Sequence, residues 1–284
     1  MEKLEHRLGF LAGLPILALL TLAFIMPLIV VAGFAIMPQK VFELAHMPDF
    51  SSFAEIWKQG YYKSLLRSLG LAFLTTVILF VVCWPLAYGM AKVFGRFTLV
   101  ITLAVVLILF VSENIRLFGW SLSLMKGGLI EGHLRAWFGI TFETPLYDWP
   151  VIVFAMCYVY FPFMLFPLAQ GISLVPEDAR LAASDLGASP AVILFQIEMP
   201  LASPGIMVGS LLTFVLSAGA VAEAKLLGGR SVVVLTDDVE SAFTFGQNWP
   251  LGSALSLMLI VIVGLLVLVP ISRINLDAIM GRKR

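Results

Sequence analysis

The chain has 284 residues, of which 60% are hydrophobic and only 13% are charged, and its mean hydropathy is +1.00. Soluble domains carry about 25% charged residues, so a deficit throughout the chain indicates a protein that crosses the membrane several times. The formal net charge of zero offers no basic field for nucleic acid, and the sequence has neither a phosphate-binding loop nor a Cys/His cluster with metal-ligand spacing. Cys83 and Cys157 lie in apolar runs, where we expect them to pack as small hydrophobic residues.

Six apolar segments approach the length of about 20 residues that a spanning helix needs. They are residues 10–37, 64–91, a third that begins at 97, and then 150–175, 201–222 and 251–272. The uncharged run of residues 8–39 is longer than the core of about 7–15 residues in a cleavable signal peptide, so we expect it to be a retained first helix. Gly205 and Gly209 form a GxxxG pattern in the fifth segment, which predicts a helix-packing face.

The third segment is apolar for only 16 residues, about 24 Å of helix, before it reaches Glu113, Asn114 and Arg116. These polar residues are therefore expected either near the far face of the membrane or inside a helix bundle. The glycine-rich, aromatic stretch that follows can carry a short interfacial helix.

An even number of spans places both termini on the same side of the membrane. The shortest loop contains Lys92 and Arg96, and the last four residues, 281–284, are a glycine followed by three basic residues. The positive-inside rule therefore predicts that both termini, and residues 176–200 with them, face the cytoplasm.

Residues 176–200 are a polar island between two apolar segments. Pro176, Glu177 and Asp178 predict a helix start, Gly187 a helix end, and Ser189-Pro190 the start of a second helix. We expect one face of this second helix to be formed by Ala191, Leu194, Phe195 and Met199. The pattern is compatible with an ordinary amphipathic connector or with a hairpin that presents its polar side to a partner.

The spacing within this island resembles a known motif. Ala182-Ala183, Gly187 and the run Ile197-x-Met199-Pro200 are similar in order and spacing to the EAA loop of ABC-importer permeases, E-A-A-x3-G-x9-I-x-L-P. Two positions differ, because Leu181 stands where that family has Glu and Met199 where it has Leu. Glu177, Asp178 or Asp185 can supply the missing charge.

Further segments resemble the spermidine/putrescine branch of these permeases. They are IRLFGWSLSL at 115–124, YVYFPFMLFPL at 158–168, AKLLGG at 224–229 and GQNWPLGSALSL at 246–257. The resemblance extends over roughly residues 60–272. That branch also serves other solutes, including opines, organophosphonates, thiamine and iron.

The resemblance implies an all-α integral membrane permease domain over residues 1–284, with six transmembrane helices and a cytoplasmic coupling-helix hairpin between helices 4 and 5. It also implies an inner-membrane location, two cytoplasmic ATPase subunits that bind ATP and Mg, a second permease subunit in a homo- or heterodimer, and a periplasmic solute-binding protein. This chain itself is expected to hold no cofactor and to be no enzyme. The residues assigned to ATPase coupling are Asp178, Arg180, Ala182, Ala183, Asp185, Gly187, Ala188, Ile197 and Pro200.

Charged residues near the membrane interior are functional candidates because their burial is costly. The residues assigned to the solute path are Glu113, Asn114, Arg116, Trp120, Tyr160 and Glu223. A structural salt bridge between Glu113 and Arg116 is an equal alternative, since they are three residues apart. Lys225 stands where the polyamine pattern usually has an acid, so both a polyamine and an anionic or zwitterionic solute remain open. A secondary transporter or channel without an ATPase is the alternative function.

Overall fold

The computed structural model describes residues 2–40, 47–141, 143–229 and 231–272, and every regular element in these ranges is helical. In chain order the helices are α1 (Glu2–Ala35), α2 (Ser51–Gln59), α3 (Tyr62–Tyr88), α4 (Phe97–Leu109), α5 (Glu113–Leu124), α6 (Leu129–Phe138), α7 (Trp149–Ser173), α8 (Glu177–Asp185), α9 (Pro190–Ile193), α10 (Met199–Leu201), α11 (Ser203–Ala218), α12 (Ala222–Leu227), α13 (Leu235–Thr244) and α14 (Trp249–Ser272). Two π-helical turns, Gly89–Val93 and Leu194–Glu198, continue α3 and α9. The prediction of an all-α chain is confirmed.

The helices form two compact units, Met1–Lys63 with Leu235–Ile262 and Ser64–Val234 with Val263–Arg284. In the first unit, the Trp249 ring makes edge contacts with Phe34 and Phe243, at 5.7 and 6.0 Å between ring centroids. That a single permease domain extends over residues 1–284 stays a prediction. The C-terminal segment 281–284 lies outside the described residues. Its three basic residues contributed to the prediction of membrane orientation.

Four helical stretches are long and apolar enough to cross a membrane: Leu14–Ala35, Tyr62–Val93, Trp149–Ser173 and Trp249–Val269. They correspond to the first, second, fourth and sixth predicted segments. The described chain reaches six crossings only if two bent helix pairs each count as one span.

The third and fifth predicted segments are the bent ones. Phe97–Leu109 meets Glu113–Phe138 at 89°, and Pro190–Leu201 meets Ser203–Ala218 at 72°. The second bend falls at Ala202, and Pro204 follows in the first turn of α11, where a residue without an N–H donor is tolerated. The fifth segment was predicted to run to residue 222, but α11 ends at Ala218. Glu223 therefore belongs to the separate helix α12 and not to the end of a span.

Helix α7 is the centre of the second unit, and α11 packs along it through glycines. A Cβ atom on Gly205 would lie 2.4 Å from the Pro167 carbonyl oxygen and 2.6 Å from the Cα atom of Gly171. One on Gly209 would lie 3.1 Å from the Met164 carbonyl oxygen. The predicted GxxxG packing face is confirmed, since only glycine permits this approach of two helix backbones. Cys83 is buried, Cys157 is half-buried, and both are free thiols, as predicted.

Candidate functional site

The polar island folds as the hairpin that its sequence predicts, and we call residues 176–200 the hairpin. Gly187 has a φ of 79° and its N–H donates to the Ser184 carbonyl at 2.9 Å, so it ends α8 in the left-handed conformation that glycine tolerates. Ser189 caps α9, with its hydroxyl accepting from the Val192 N–H at 3.4 Å. Pro176 lies just outside α8 rather than in its first turn.

The second arm does not have the apolar face that we predicted for it. Ala191 is exposed and Phe195 is 64% exposed, whereas Leu194 and Met199 are half-buried. The π-helical turn over Leu194–Glu198 accounts for the part of the difference that follows it, because one extra residue per turn rotates the later side chains around the helix.

The hairpin projects from the second unit with little burial of its own, and neither α8 nor α9 contains a buried residue. Of the residues assigned to ATPase coupling, five are exposed and four are half-buried: Asp178, Ala182, Asp185, Gly187 and Pro200, and then Arg180, Ala183, Ala188 and Ile197. The structure adds Leu186, which is 89% exposed at the tip. Its position directly before the turn glycine was the only sequence signal for it.

The acidic residues of α8 divide into two groups. Glu177 accepts hydrogen bonds from Arg180 and lies 3.8 Å from the Lys92 ammonium. The bonds from Arg180 hold the pKa of Glu177 below its ordinary value. Asp178 and Asp185 are exposed and have no ion-pair partner among the residues that the structure describes. These two can therefore offer a charge to a partner in place of the Glu that Leu181 replaces.

A second site is the polar cluster where α5, α7 and α12 meet. Glu223, the first acidic residue of α12, is fully buried, and neither of its carboxylate oxygens has a hydrogen-bond partner in the described structure. The Tyr160 hydroxyl and the Glu113 carboxylate lie close enough to influence its charge. Burial raises the pKa of Glu223; the nearby Tyr160 hydroxyl opposes this rise, and repulsion by Glu113 adds to it.

Aromatic rings of α5 and α7 surround the Arg116 side chain. The Arg116 guanidinium lies 5.6 Å from the centroid of the Tyr158 ring, and two of its nitrogen atoms are buried without a hydrogen-bond partner in the described chain. The Trp120 ring makes edge contacts with Phe154 and Tyr158, at 4.8 and 5.8 Å between centroids. Sequence reasoning missed Phe154 and Tyr158, although a helical spacing of four residues could have paired them with each other.

All six residues assigned to the solute path lie in the elements that build the cluster, although Asn114 is exposed. No salt bridge joins Glu113 and Arg116 in the described chain, so the structural alternative for this pair is wrong. Lys225 is exposed, whereas Glu223 two residues earlier is fully buried. Successive positions i and i+2 of a helix lie on opposite sides, and only the acid faces the cluster.

Comparisons with known proteins agree on one class. The chain is 28% identical over 219 residues to the spermidine/putrescine transport system permease protein PotB of Haemophilus influenzae, covering 77% of each chain. It is 28% identical to PotB of Escherichia coli, over 74% of this chain and 76% of that one. It is 26% identical to the inner membrane ABC transporter permease protein YdcU of Escherichia coli, over 74% of this chain and 71% of that one. No protein-family model matches the chain.

The fold of the chain is also similar to that of a known transporter. The chain superposes with a TM-score of 0.68 on a chain of a bacterial ABC transporter involved in the import of the acidic polysaccharide alginate. The alignment covers 94% of this chain and 95% of the other at 16% identity, so it shows the fold alone. The relatives are transport permeases, which agrees with the prediction that the chain is not an enzyme. The chain is therefore similar in sequence and in fold to the transmembrane permease subunits of ABC transporters, with sequence relatives among the spermidine/putrescine permeases.

Proposed function

We propose that this subunit crosses the inner membrane six times, with the third and fifth spans bent, and that both termini and the hairpin face the cytoplasm. It pairs with a second permease subunit, two ATPases dock on the hairpins of the pair, and a periplasmic protein delivers the solute. ATP-driven movement of the hairpins then exposes the solute path to alternate sides. The support for docking is the hairpin itself, which exposes Leu186 and the acids Asp178 and Asp185.

We further propose that the solute is a small organic cation of the polyamine type. The observation that carries this proposal is the site around Glu223, where a fully buried carboxylate without a hydrogen-bond partner among the described residues lies close to the aromatic side chain of Tyr160. Acids and aromatic faces are the groups that bind ammonium ions. The exposure of Lys225 removes the argument that this lysine gave for an anionic solute.

The docking proposal is tested by Gly187→Arg in the complex co-purified with its partner chains. The large charged side chain at the hairpin turn is expected to remove the ATPase while the permease still inserts in the membrane. Because Gly187 has a φ of 79°, arginine also strains the backbone. Gly187→Asn is the matched control, since asparagine tolerates this conformation, and it should retain the ATPase. Normal ATPase recovery with Gly187→Arg would refute the assignment of the hairpin.

The solute proposal is tested by uptake into vesicles that contain the complete transporter. With the binding protein present, putrescine or spermidine should stimulate ATP hydrolysis and accumulate, and Glu223→Gln should lower this uptake at least about ten-fold, the loss that 1.4 kcal/mol of binding produces. Glu143→Gln replaces an exposed acid outside the cluster and serves as the control. Stimulation by an anionic amino-acid conjugate alone would refute the cation and make Arg116 the principal solute contact.

A further inference from the structure

The first arm of the hairpin is tied to the end of α3. Lys92 lies in the π-helical turn that continues this helix, and its ammonium group donates to the Val175 carbonyl oxygen at 2.7 Å. The same ammonium lies 3.8 Å from a carboxylate oxygen of Glu177. One side chain of α3 therefore holds the last residue before the hairpin and the first residue of α8.

The second arm is tied to the same helix end. The Tyr88 hydroxyl, on the last residue of α3, donates to the Oε1 atom of Glu198 at 3.3 Å. Glu198 is only 6% exposed, whereas α8 and α9 contain no buried residue. It also ends the second π-helical turn, Leu194–Glu198. A buried carboxylate that keeps a hydrogen-bond partner is a specific anchor, because losing the partner leaves a costly unsatisfied group.

Between these two contacts the hairpin and α3 are separated by a cavity of about 620 Å³. Its lining includes Trp84, Pro85 and Tyr88 of α3 and, from the hairpin, Leu181, Ser184 and Ile193. Where side chains interlock, a movement of one element is passed on by packing. Across an open cavity that route is weakened, and the polar contacts of Tyr88 and Lys92 provide direct links between the hairpin and the end of α3.

We propose that Tyr88 and Lys92 are positioning residues that transmit the movement of the hairpin to α3. Each contact involves a residue in or beside a π-helical turn, a local departure from α-helix that is often found at functional sites. Tyr88 holds the second arm and Lys92 holds the first. Through these two contacts α3, which is distant from the hairpin in the chain, moves when the hairpin moves. This inference rests on the proposed docking of the ATPase at the hairpin, and it adds the route by which that docking reaches the membrane.

The test uses the complete transporter in lipid vesicles with the binding protein and spermidine. The variants are Tyr88→Phe, Lys92→Met and the double substitution, and the control is Lys126→Met, at an exposed lysine outside the hairpin. We expect the double variant to retain its ATPase in the wild-type ratio and to hydrolyse ATP. The number of solute molecules moved per ATP should fall about five-fold, within the range that residues of a coupling network produce.

The ratio of transport to hydrolysis separates this role from a merely structural one, which would lower the yield of complex and both activities together. Lys92→Arg keeps a donor for the Val175 carbonyl and should restore the ratio. Tyr88→Phe removes a single oxygen atom. If the double variant does not insert as a folded permease, the ratio measured with Tyr88→Phe decides the question.

An unchanged ratio in the double variant would overturn the inference. So would loss of the ATPase from that variant, because Tyr88 and Lys92 would then shape the docking surface instead of transmitting its movement. Failure of the proposed function looks different, since it appears as a wild-type complex without ATPase or as normal ATPase recovery with Gly187→Arg.

Discussion

The contact between α7 and α11 allows a graded prediction about stability. A Cβ atom placed on Gly205 meets only backbone atoms, with the Pro167 oxygen at 2.4 Å and the Cα atom of Gly171 at 2.6 Å. Carbon atoms in contact are normally at least about 3.5 Å apart. The helices must therefore separate by roughly 1 Å to accept Gly205→Ala, because a backbone cannot move aside as a side chain does.

The cost can be estimated from that displacement. A gap of about 0.5–1 Å forfeits a quarter to a half of each van der Waals contact along the seam, and overpacking a well-packed site costs about 1–3 kcal/mol. We expect Gly205→Ala to lie at the upper end of this range. Gly209→Ala should cost about 1 kcal/mol or less, because its Cβ would lie 3.1 Å from the Met164 carbonyl oxygen and 3.2 Å from the Met164 sulfur.

Gly70→Ala in α3 is the matched control. No atom lies within 4 Å of a Cβ placed there, and alanine favours the helix over glycine by about 0.5–1 kcal/mol. Thermal unfolding of the purified transporter in lipid nanodiscs should therefore give midpoints that rise from Gly205→Ala through Gly209→Ala to Gly70→Ala. Equal midpoints for Gly205→Ala and Gly70→Ala would refute the conclusion that α7 and α11 meet through glycine.

Three further predictions concern the cluster and the hairpin. Burial raises the pKa of Glu223 above the ordinary 4.5, so its negative charge is lost as the pH falls through that higher value. Cation uptake should decline at this pH, and Glu223→Gln should remove this part of the pH profile. A decline only below pH 4.5 would contradict the burial of Glu223. Ser189→Ala removes the cap of α9 and should destabilise this helix locally by about 1 kcal/mol. The amides of Val192 and Ile193 should then exchange hydrogen faster, and unchanged exchange rates would rule out the cap. Leu186→Ser should weaken ATPase binding with no change in the unfolding temperature, because this side chain is 89% exposed, and a lower unfolding temperature would mean that it packs within the subunit.

The parts of this protein that obey local rules were predictable from its sequence. Gly187 and Ser189-Pro190 mark the turn of the hairpin because the left-handed conformation and the N-cap each favour a few residue types. The four straight spans follow from runs of apolar residues long enough to cross a bilayer. The GxxxG pair also predicted its packing face, since the absence of a side chain is itself the property that the contact uses.

Other features depend on residues that are far apart in the chain. Glu113, Tyr160 and Glu223 come together only when α5, α7 and α12 pack, and nothing local to any one of them indicates the other two. The π-helical turn at Leu194–Glu198 rotated the second arm of the hairpin away from its predicted face. The bond from Tyr88 to Glu198 spans 110 positions.

The sequence by itself determined the helical class of the chain, the hairpin with its turn and caps, and the glycines of the α7–α11 contact, because each depends on intrinsic preferences of residues that are adjacent or one helical turn apart. Only the tertiary structure decided that α4 and α5 meet at a bend, that Glu223 is buried while Lys225 is exposed, and that both arms of the hairpin are tied to α3. These outcomes depend on which helices pack together, and packing sets burial and charge at positions whose local sequence permits either state.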